Sequence, residues 1–347
     1  MRPNRIKPDF ESAIYHCVSR IVDRQFILGS KEKDLLYELI QDYSRFGGLF
    51  LFDFVLMANH LHLLVQVPPR PPELPSDQEI IRRLSFIHHR DDGGEEGRLL
   101  SRLVALGASH DAQILRQKIC SRMWDISHFM KMVLQRFSQR YNRIHNRKGV
   151  LWGERFSSTL VESGEALAAV AAYIDLNPVR AGIHHRPEDY RWSGYGRAMR
   201  GDRAALEAIA AVVKSRLASL NDFRQLSEKE ALEMFRTWLY AAGEEVVSNG
   251  EVQRKGFSPQ AVASVLKSNG KISLGLFLRC KVRYFTAGVA VGSRNYLERI
   301  FNYARGCFGA ARKTGPRPIR GLDGGGLFVL RDLKKDVIRP GAWSPTG

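Results

Sequence analysis

Hydrophobic and polar positions alternate along AIYHCVSR: Ile14, His16 and Val18 interleave with Tyr15, Cys17 and Ser19, a period of two that predicts a strand. Over residues 31–46 the period lengthens. Leu35, Leu36, Leu39, Ile40 and Tyr43 recur at helical spacing, and Gly47-Gly48 marks the stop. Residues 49–69 are rich in Leu, Phe and Val with a polar break at Ala58-Asn59. That predicts two antiparallel strands joined by a turn at 57–59 and ended by Pro68-Pro69. The pattern then dissolves. PPRPPELPSD and HHRDDGGEEGR read as an insertion or flexible excursion at about 70–124, with only modest helical stretches. Residues 125–147 restore a strong helix, with Ile126, Phe129, Met130, Val133, Leu134, Phe137 and Tyr141 on one face and Gly149 as its stop. A short strand over 151–161 follows. Ser163 is then expected to cap a helix, EALAAVAAYIDL, that has Glu165 in its first turn and ends near Leu176 because Pro178 disfavours helical geometry before it. The order β-α-β-β-α-β-α predicts an α+β domain over residues 1–200, a small antiparallel sheet with helices packed against it.

Past residue 200 helical spacing dominates, over 204–217, 228–242, 259–267, 274–284 and 294–304. The last two flank FTAGVAVGS, so the expectation for 201–347 is a mostly α-helical accessory domain with a helix-turn-helix at about 258–310 and a basic tail.

Charge changes the picture next. The 347 residues hold 53 Lys and Arg against 36 Asp and Glu, a formal net charge of +17. That excess is the electrostatic signature of a nucleic-acid binder. The polar side of the 125–147 helix and the stretch beyond it carry Lys131, Arg136, Arg140, Arg143, Arg147, Lys148 and Arg155, opposed only by Glu154. Between 279 and 320, ten Lys or Arg, among them Arg279, Lys281, Arg283, Arg294 and Arg312, face one acid, Glu298. Both sets are candidate DNA contacts. No apolar run approaches the roughly 20 residues needed to span a bilayer, and residues 1–16 contain no apolar leader. Cys17, Cys120, Cys280 and Cys307 form no CxxC pair, so reduced thiols in a cytoplasmic, nucleoid-associated protein are expected.

Candidate chemistry begins at Asn59-His60-Leu61-His62. Residues two apart on a strand share a face, so His60 and His62 form a half-site for a divalent metal. Far along the chain, Tyr173 and Asn177 sit at i and i+4, one above the other on a helix, with Arg180 just beyond as a candidate DNA contact that could hold a phosphate oxygen. A core tyrosine is the simple alternative reading of Tyr173.

Together, AIYHCVSR, FVLMANHLHLLVQ, ISHFMKMVLQRFSQRYNRIHNRKGVLWGERF, AAYIDLNPVRAG and EDYRWSGY resemble the HUH single-tyrosine transposases, and within them the REP-associated tyrosine transposases. The stretches span roughly 10–68 and 125–196. The resemblance implies a ferredoxin-like core that cuts and rejoins single-stranded or hairpin DNA through a 5′-phosphotyrosine. It implies His60, His62 and Asn177 as ligands of Mg²⁺ or Mn²⁺ and Tyr173 as nucleophile. Tyr141, amid Arg140, Arg143 and Arg147, is the rival. A possible homodimer is left open. The long 70–124 segment and everything past 200 depart from the family pattern. Two other readings remain: a domesticated, non-catalytic DNA-binding regulator, and a metal-dependent RNA or cyclic phosphodiesterase using HLH without Tyr173.

Overall fold

A computed structural model of the chain describes residues 5–8, 11–242, 246–248, 251–254, 288–309, 312–313, 315–319, 327–331 and 333. Strand β1 (Ala13–Arg20), helix α1 (Ser30–Gly47) and strands β2 (Phe50–Leu56) and β3 (His60–Val67) follow one another as the alternation predicts. Helix α1 stops where Gly48 turns left-handed, at φ 65°. A Cβ there would lie 2.5 Å from Arg83 Nη1 and 2.9 Å from Trp124 Nε1, so glycine serves both conformation and space.

The 70–124 segment corrects the expectation of a flexible excursion. It folds into α2 (Asp77–His88), α3 (Gly94–Ala105) and α4 (Ser109–Cys120). Ser76 caps α2 by accepting from Glu79 N–H, and Ile80, Leu84, Leu100 and Ile119 are buried in the core that α1 shares. Four anchors scattered among Arg, Glu and Gly residues give a weak periodicity, yet they suffice once a neighbouring face is there to receive them.

Helix α5 (Ile126–Ile144) is capped by Asp125, and β4 (Ser157–Val161) follows. This strand is shorter than the expected 151–161. Residues 151–156 instead wrap the end of β1, with Trp152 bridging Ile21 and donating its Nε1–H to Leu134 O at 3.1 Å. β1 pairs antiparallel with β3 and β4, and β2 antiparallel with β3, giving the order β2-β3-β1-β4. That is the split βαβ, ferredoxin-like arrangement.

Helix α6 (Glu165–Asp175) is not capped by Ser163. The N-cap position is Gly164, at φ 81°, whose N–H donates to Ser215 Oγ at 2.8 Å. The helix ends where expected, with Leu176 as its C-cap, but Asn177 before Pro178 is itself helical. Pro178 opens α7 (Asn177–Arg180), where a proline forfeits no hydrogen bond. Helices α8 (Gly194–Ala198), α9 (Arg203–Ser219) and α10 (Glu228–Ala242) follow, then a separate ladder of β5 (Val246–Ser248) and β6 (Glu251–Arg254).

The helices expected at 259–267 and 274–284, and with them the first half of the helix-turn-helix, lie outside the described residues. The turn expected before residue 294 is in part strand β7 (Ala290–Gly292), which runs parallel to β4. Three residues are too few to show a period, but the open edge of β4 offers hydrogen bonds: Leu160 N–H donates to Val289 O and Glu162 N–H to Val291 O. Helix α11 (Arg294–Tyr303), capped by Ser293, stands where its spacing predicts. β8 (Arg317–Pro318) and β9 (Phe328–Leu330) finish a seven-stranded sheet, β2-β3-β1-β4-β7-β9-β8.

Period two gives the sheet two faces. Tyr15, Cys17, Leu61 and Leu63 pack toward α1, α5 and the 70–124 helices. Ile14, Val55, Leu64 and Val161 pack toward α6, α9 and α10. Every residue of α6 from Ala166 to Asp175 is buried, which its apolar, Ala-rich circumference permits. No helix among the described residues is long and apolar enough to cross a membrane.

Candidate active site

His60 and His62 stand on the α6 face of β3, their ring centroids 5.1 Å apart. Register brings in a residue that motif reading overlooked. Val18 lies opposite His62, so His16, two positions earlier on β1, is its diagonal neighbour. His16 Nε2 lies 2.8 Å from His62 Nδ1, and the two rings stack at 5.1 Å. The signal was present in AIYHCVSR, because His16 shares the face of Ile14 and Val18, but only strand register connects it to His62.

Helix α6 crosses this face and lowers Tyr173 onto the imidazoles, its ring 5.8 Å from His62 and 6.0 Å from His16. The Arg180 guanidinium lies 5.2 Å from the centre of the phenol ring. Asn177 Nδ2 donates back to Tyr173 O at 2.9 Å and Ile174 O at 3.1 Å, and its side chain also hydrogen-bonds the Tyr173 hydroxyl. Arg20 pairs directly with His60 across the strands and is exposed. The structure thus gathers His60, His62, Tyr173, Asn177 and Arg180, and adds His16, Arg20 and Asn59.

Burial, and then Arg20, pulls the His60 imidazole down to about 4. Burial and the neighbouring His16, His60 and Arg20 push His62 well below the usual histidine range. Both rings are therefore neutral near pH 7, the form that ligates a metal. Burial raises the Tyr173 phenol, while Arg180, Arg20 and the Asn177 hydrogen bond favour its anion. No three His, Cys, Asp or Glu side chains cluster as a cage among the described residues. A centre here would take two imidazole nitrogens and a third donor of another type. Asn177 fits, since its Nδ2 is tied to backbone carbonyls and its oxygen is the ligating end. Nitrogen and amide-oxygen donors suit Mn²⁺ or Mg²⁺.

Tyr141 lies in the other core, tilted against Phe137 and, at 4.2 Å, against His145. The sheet separates it from the imidazoles. The basic positions divide likewise. Lys131, Arg136 and Arg143 are exposed on α5 and Arg140 is half-buried there, all on the face opposite α6. Arg136 also donates to Tyr43 Oη. The loop after α5 returns to the end of the sheet that carries His60: Val22 N–H donates to Leu151 O at 2.9 Å and Gly153 N–H to Arg20 O at 3.0 Å. Arg147 is held there by Asn142 Oδ1 and Val150 O, and Lys148 and Arg155 are exposed nearby. Arg279, Lys281 and Arg283 lie outside the described residues. Arg294 is exposed on α11. Arg312 turns inward, donating to Arg331 O and to Gly315 O and flanking Phe301 and Phe308.

No curated protein matches the chain in sequence. Among solved structures, a REP-associated tyrosine transposase bound to a REP hairpin aligns at 15% identity and a TM-score of 0.37, over 58% of this chain and 87% of that one. Through residues 9–74, which carry β1, α1, β2 and β3 with both His60 and His62, the chain matches the family model described as IS200-like transposase.

Proposed function

We propose that this chain is a transposase that cuts and rejoins single-stranded DNA at hairpins, with Tyr173 as nucleophile. The observation that carries the reading is the seating of the Tyr173 phenol against two imidazoles that a strand presents side by side, with Arg180 over its ring. The family match over residues 9–74 supports a transposase role independently of Tyr173, which lies outside it.

His60, His62 and Asn177 would hold the cation. A bound Mg²⁺ or Mn²⁺ supplies Lewis-acid polarisation of the phosphodiester. Arg180 and Arg20 lower the cost of the phenolate. The Tyr173 oxygen bonds to phosphorus, the bond to the 3′ oxygen breaks, and the phenol proton is balanced by the one gained by the released 3′-OH. The 5′-phosphotyrosine conserves the bond, so a later 3′-OH can reverse the step without a nucleotide cofactor. Arg147, Lys148 and Arg155 gather at the sheet end beside Arg20 and would bind the DNA backbone there, with Lys131, Arg136, Arg140 and Arg143 meeting DNA that passes to the other face.

The test mixes protein, Mn²⁺ and end-labelled hairpin DNA and looks for a covalent adduct on a denaturing gel. Wild type and Tyr141→Phe form it; Tyr173→Phe does not. An adduct that persists in Tyr173→Phe overturns the assignment. Its absence from wild type on every hairpin, with DNA still bound, leaves a non-catalytic DNA-binding regulator.

A further inference from the structure

Each imidazole of the HLH strand has its Nδ1 engaged by a neighbour that is not itself a candidate ligand. His60 Nδ1 lies 2.6 Å from Asn59 Oδ1, and Asn59 Nδ2 donates to Arg24 O at 3.2 Å. His62 Nδ1 lies 2.8 Å from His16 Nε2. An amide has one donor end and one acceptor end. A backbone carbonyl only accepts, so the Asn59 NH₂ must face Arg24 and its oxygen must face His60. Nδ1 of His60 therefore carries the ring proton, and Nε2 carries the lone pair.

The His16–His62 contact needs one proton between two neutral rings. If His16 donated it, the single proton of His62 would sit on Nε2 and close that nitrogen to a metal. If His16 accepts, His62 presents Nε2 unprotonated. We propose that Asn59 and His16 are positioning residues that hold His60 and His62 as Nδ1–H tautomers, so that both Nε2 lone pairs are offered to one divalent cation. The purpose of this arrangement rests on the metal reading of the proposed function, while the tautomers themselves do not. Outer partners of this kind fix both ring orientation and ligand basicity. His16 and His62 are both about 1% exposed, so water cannot substitute for either partner of that bond. Asn59 has a second effect. By holding the Arg24 carbonyl it ties the loop after β1, where Asp23 and Arg24 both adopt positive φ, to the orientation of His60.

The experiment uses the full chain with ¹⁵N-labelled histidine, free of metal and DNA, at neutral pH, where long-range ¹H–¹⁵N spectra distinguish the two tautomers. We expect His60 and His62 both as Nδ1–H. Asn59→Leu moves His60, and His16→Phe moves His62, toward the Nε2–H form that an unconstrained imidazole prefers. In a parallel Mn²⁺ titration each variant binds about 10- to 100-fold more weakly. His16→Gln, whose amide oxygen can accept from His62, recovers most of the loss, which a purely structural role for His16 would not predict. If His16→Phe fails to fold, the wild-type spectrum and His16→Gln carry the test. A wild-type His62 found as Nε2–H, or Mn²⁺ affinity unchanged in His16→Phe, overturns the proposal. No Mn²⁺ binding by wild type, with both tautomers as stated, overturns the metal reading and the purpose assigned to the pair with it. Tyr141→Phe, in the core on the other side of the sheet, serves as the control that keeps both tautomers and the affinity.

Discussion

A buried phenol is a poor nucleophile until something lowers the cost of its anion. Burial raises Tyr173, and Arg180 is the largest group opposing that rise. Arg180→Gln should therefore slow adduct formation by about 100-fold, the scale of one lost electrostatic stabiliser, and move the rate profile to higher pH while DNA binding stays within a few-fold. Single-turnover gels across a pH series measure this; an unchanged profile assigns Arg180 to packing alone. His60 gives a second titration. Its folded value of about 4 lies below the ordinary 6.5. As pH falls from about 6.5 to 4, the unfolded ring takes up a proton that the folded one refuses, so stability is present above the window and drains through it, by up to about 3 kcal/mol. His60→Gln should flatten this acid limb in thermal melts. Of the site, His60, His62 and Tyr173 are legible from sequence because each lies in a motif whose spacing decides its face. His16 is not: it stands 46 positions from His62, and only strand register, which no local pattern encodes, brings them together.

Among elements, α6 matters most, because it fixes where the phenol lands. One clip holding it is Asp175, whose Oδ1 accepts from Tyr195 N–H at 3.0 Å while its carboxyl meets Asp53 of β2. The Oδ2 atoms of both acids are buried without a donor, and a proton kept by the pair supplies one. Burial pushes Asp175 up to about 7 and raises Asp53 as well. A raised carboxyl stabilises the fold at low pH, and that contribution is lost as pH climbs from about 4 to 7, the reverse of His60. Asp175→Asn, which keeps a donor, should remove this slope in melts compared pairwise with wild type. Gly194→Ala should destabilise by about 1–3 kcal/mol, because its Cβ would fall 2.1 Å from Asp53 Oδ1. Denaturant midpoints report it. Long periodic elements were readable from sequence: β1, α1, β3, α5 and α10 stand where predicted. Ser163 misled because local preference was asked to settle a helix start that packing settles, whereas the end near Leu176 stands where predicted. The helices of 70–124 hid because their apolar anchors are few.

At the scale of the whole molecule, charge and architecture part company. The chain carries a net charge of +17, and α5 with its basic stripe lies across the sheet from Tyr173. DNA that reaches both must round the end where Arg20, Arg147 and Lys148 gather. Arg147→Gln with Lys148→Gln should lower the salt slope of single-strand binding by about 1.4, at about 0.7 for each phosphate no longer neutralised. A fluorescence titration at several salt concentrations measures it, and an unchanged slope moves the DNA path elsewhere. The sheet's far side was illegible for a different reason: β7, β8 and β9 are two or three residues each, below the length at which a period can register, and each forms only because a partner edge is waiting.

That waiting has a duration. Thr159 Oγ1 donates to Gly288 O across 129 positions of chain. At roughly 5–20 residues per second a ribosome needs about 6 to 26 seconds to cover that distance. By then every side chain assigned to cutting has already emerged, on a sheet whose β4 edge still shows bare N–H and C=O groups. The last strands therefore act as a clock as well as a seal: a nascent protein can assemble its chemistry before it can protect its own edge. Slowing translation between residues 162 and 288, with the amino-acid sequence unchanged, should lower the soluble yield without altering the activity of the molecules that survive.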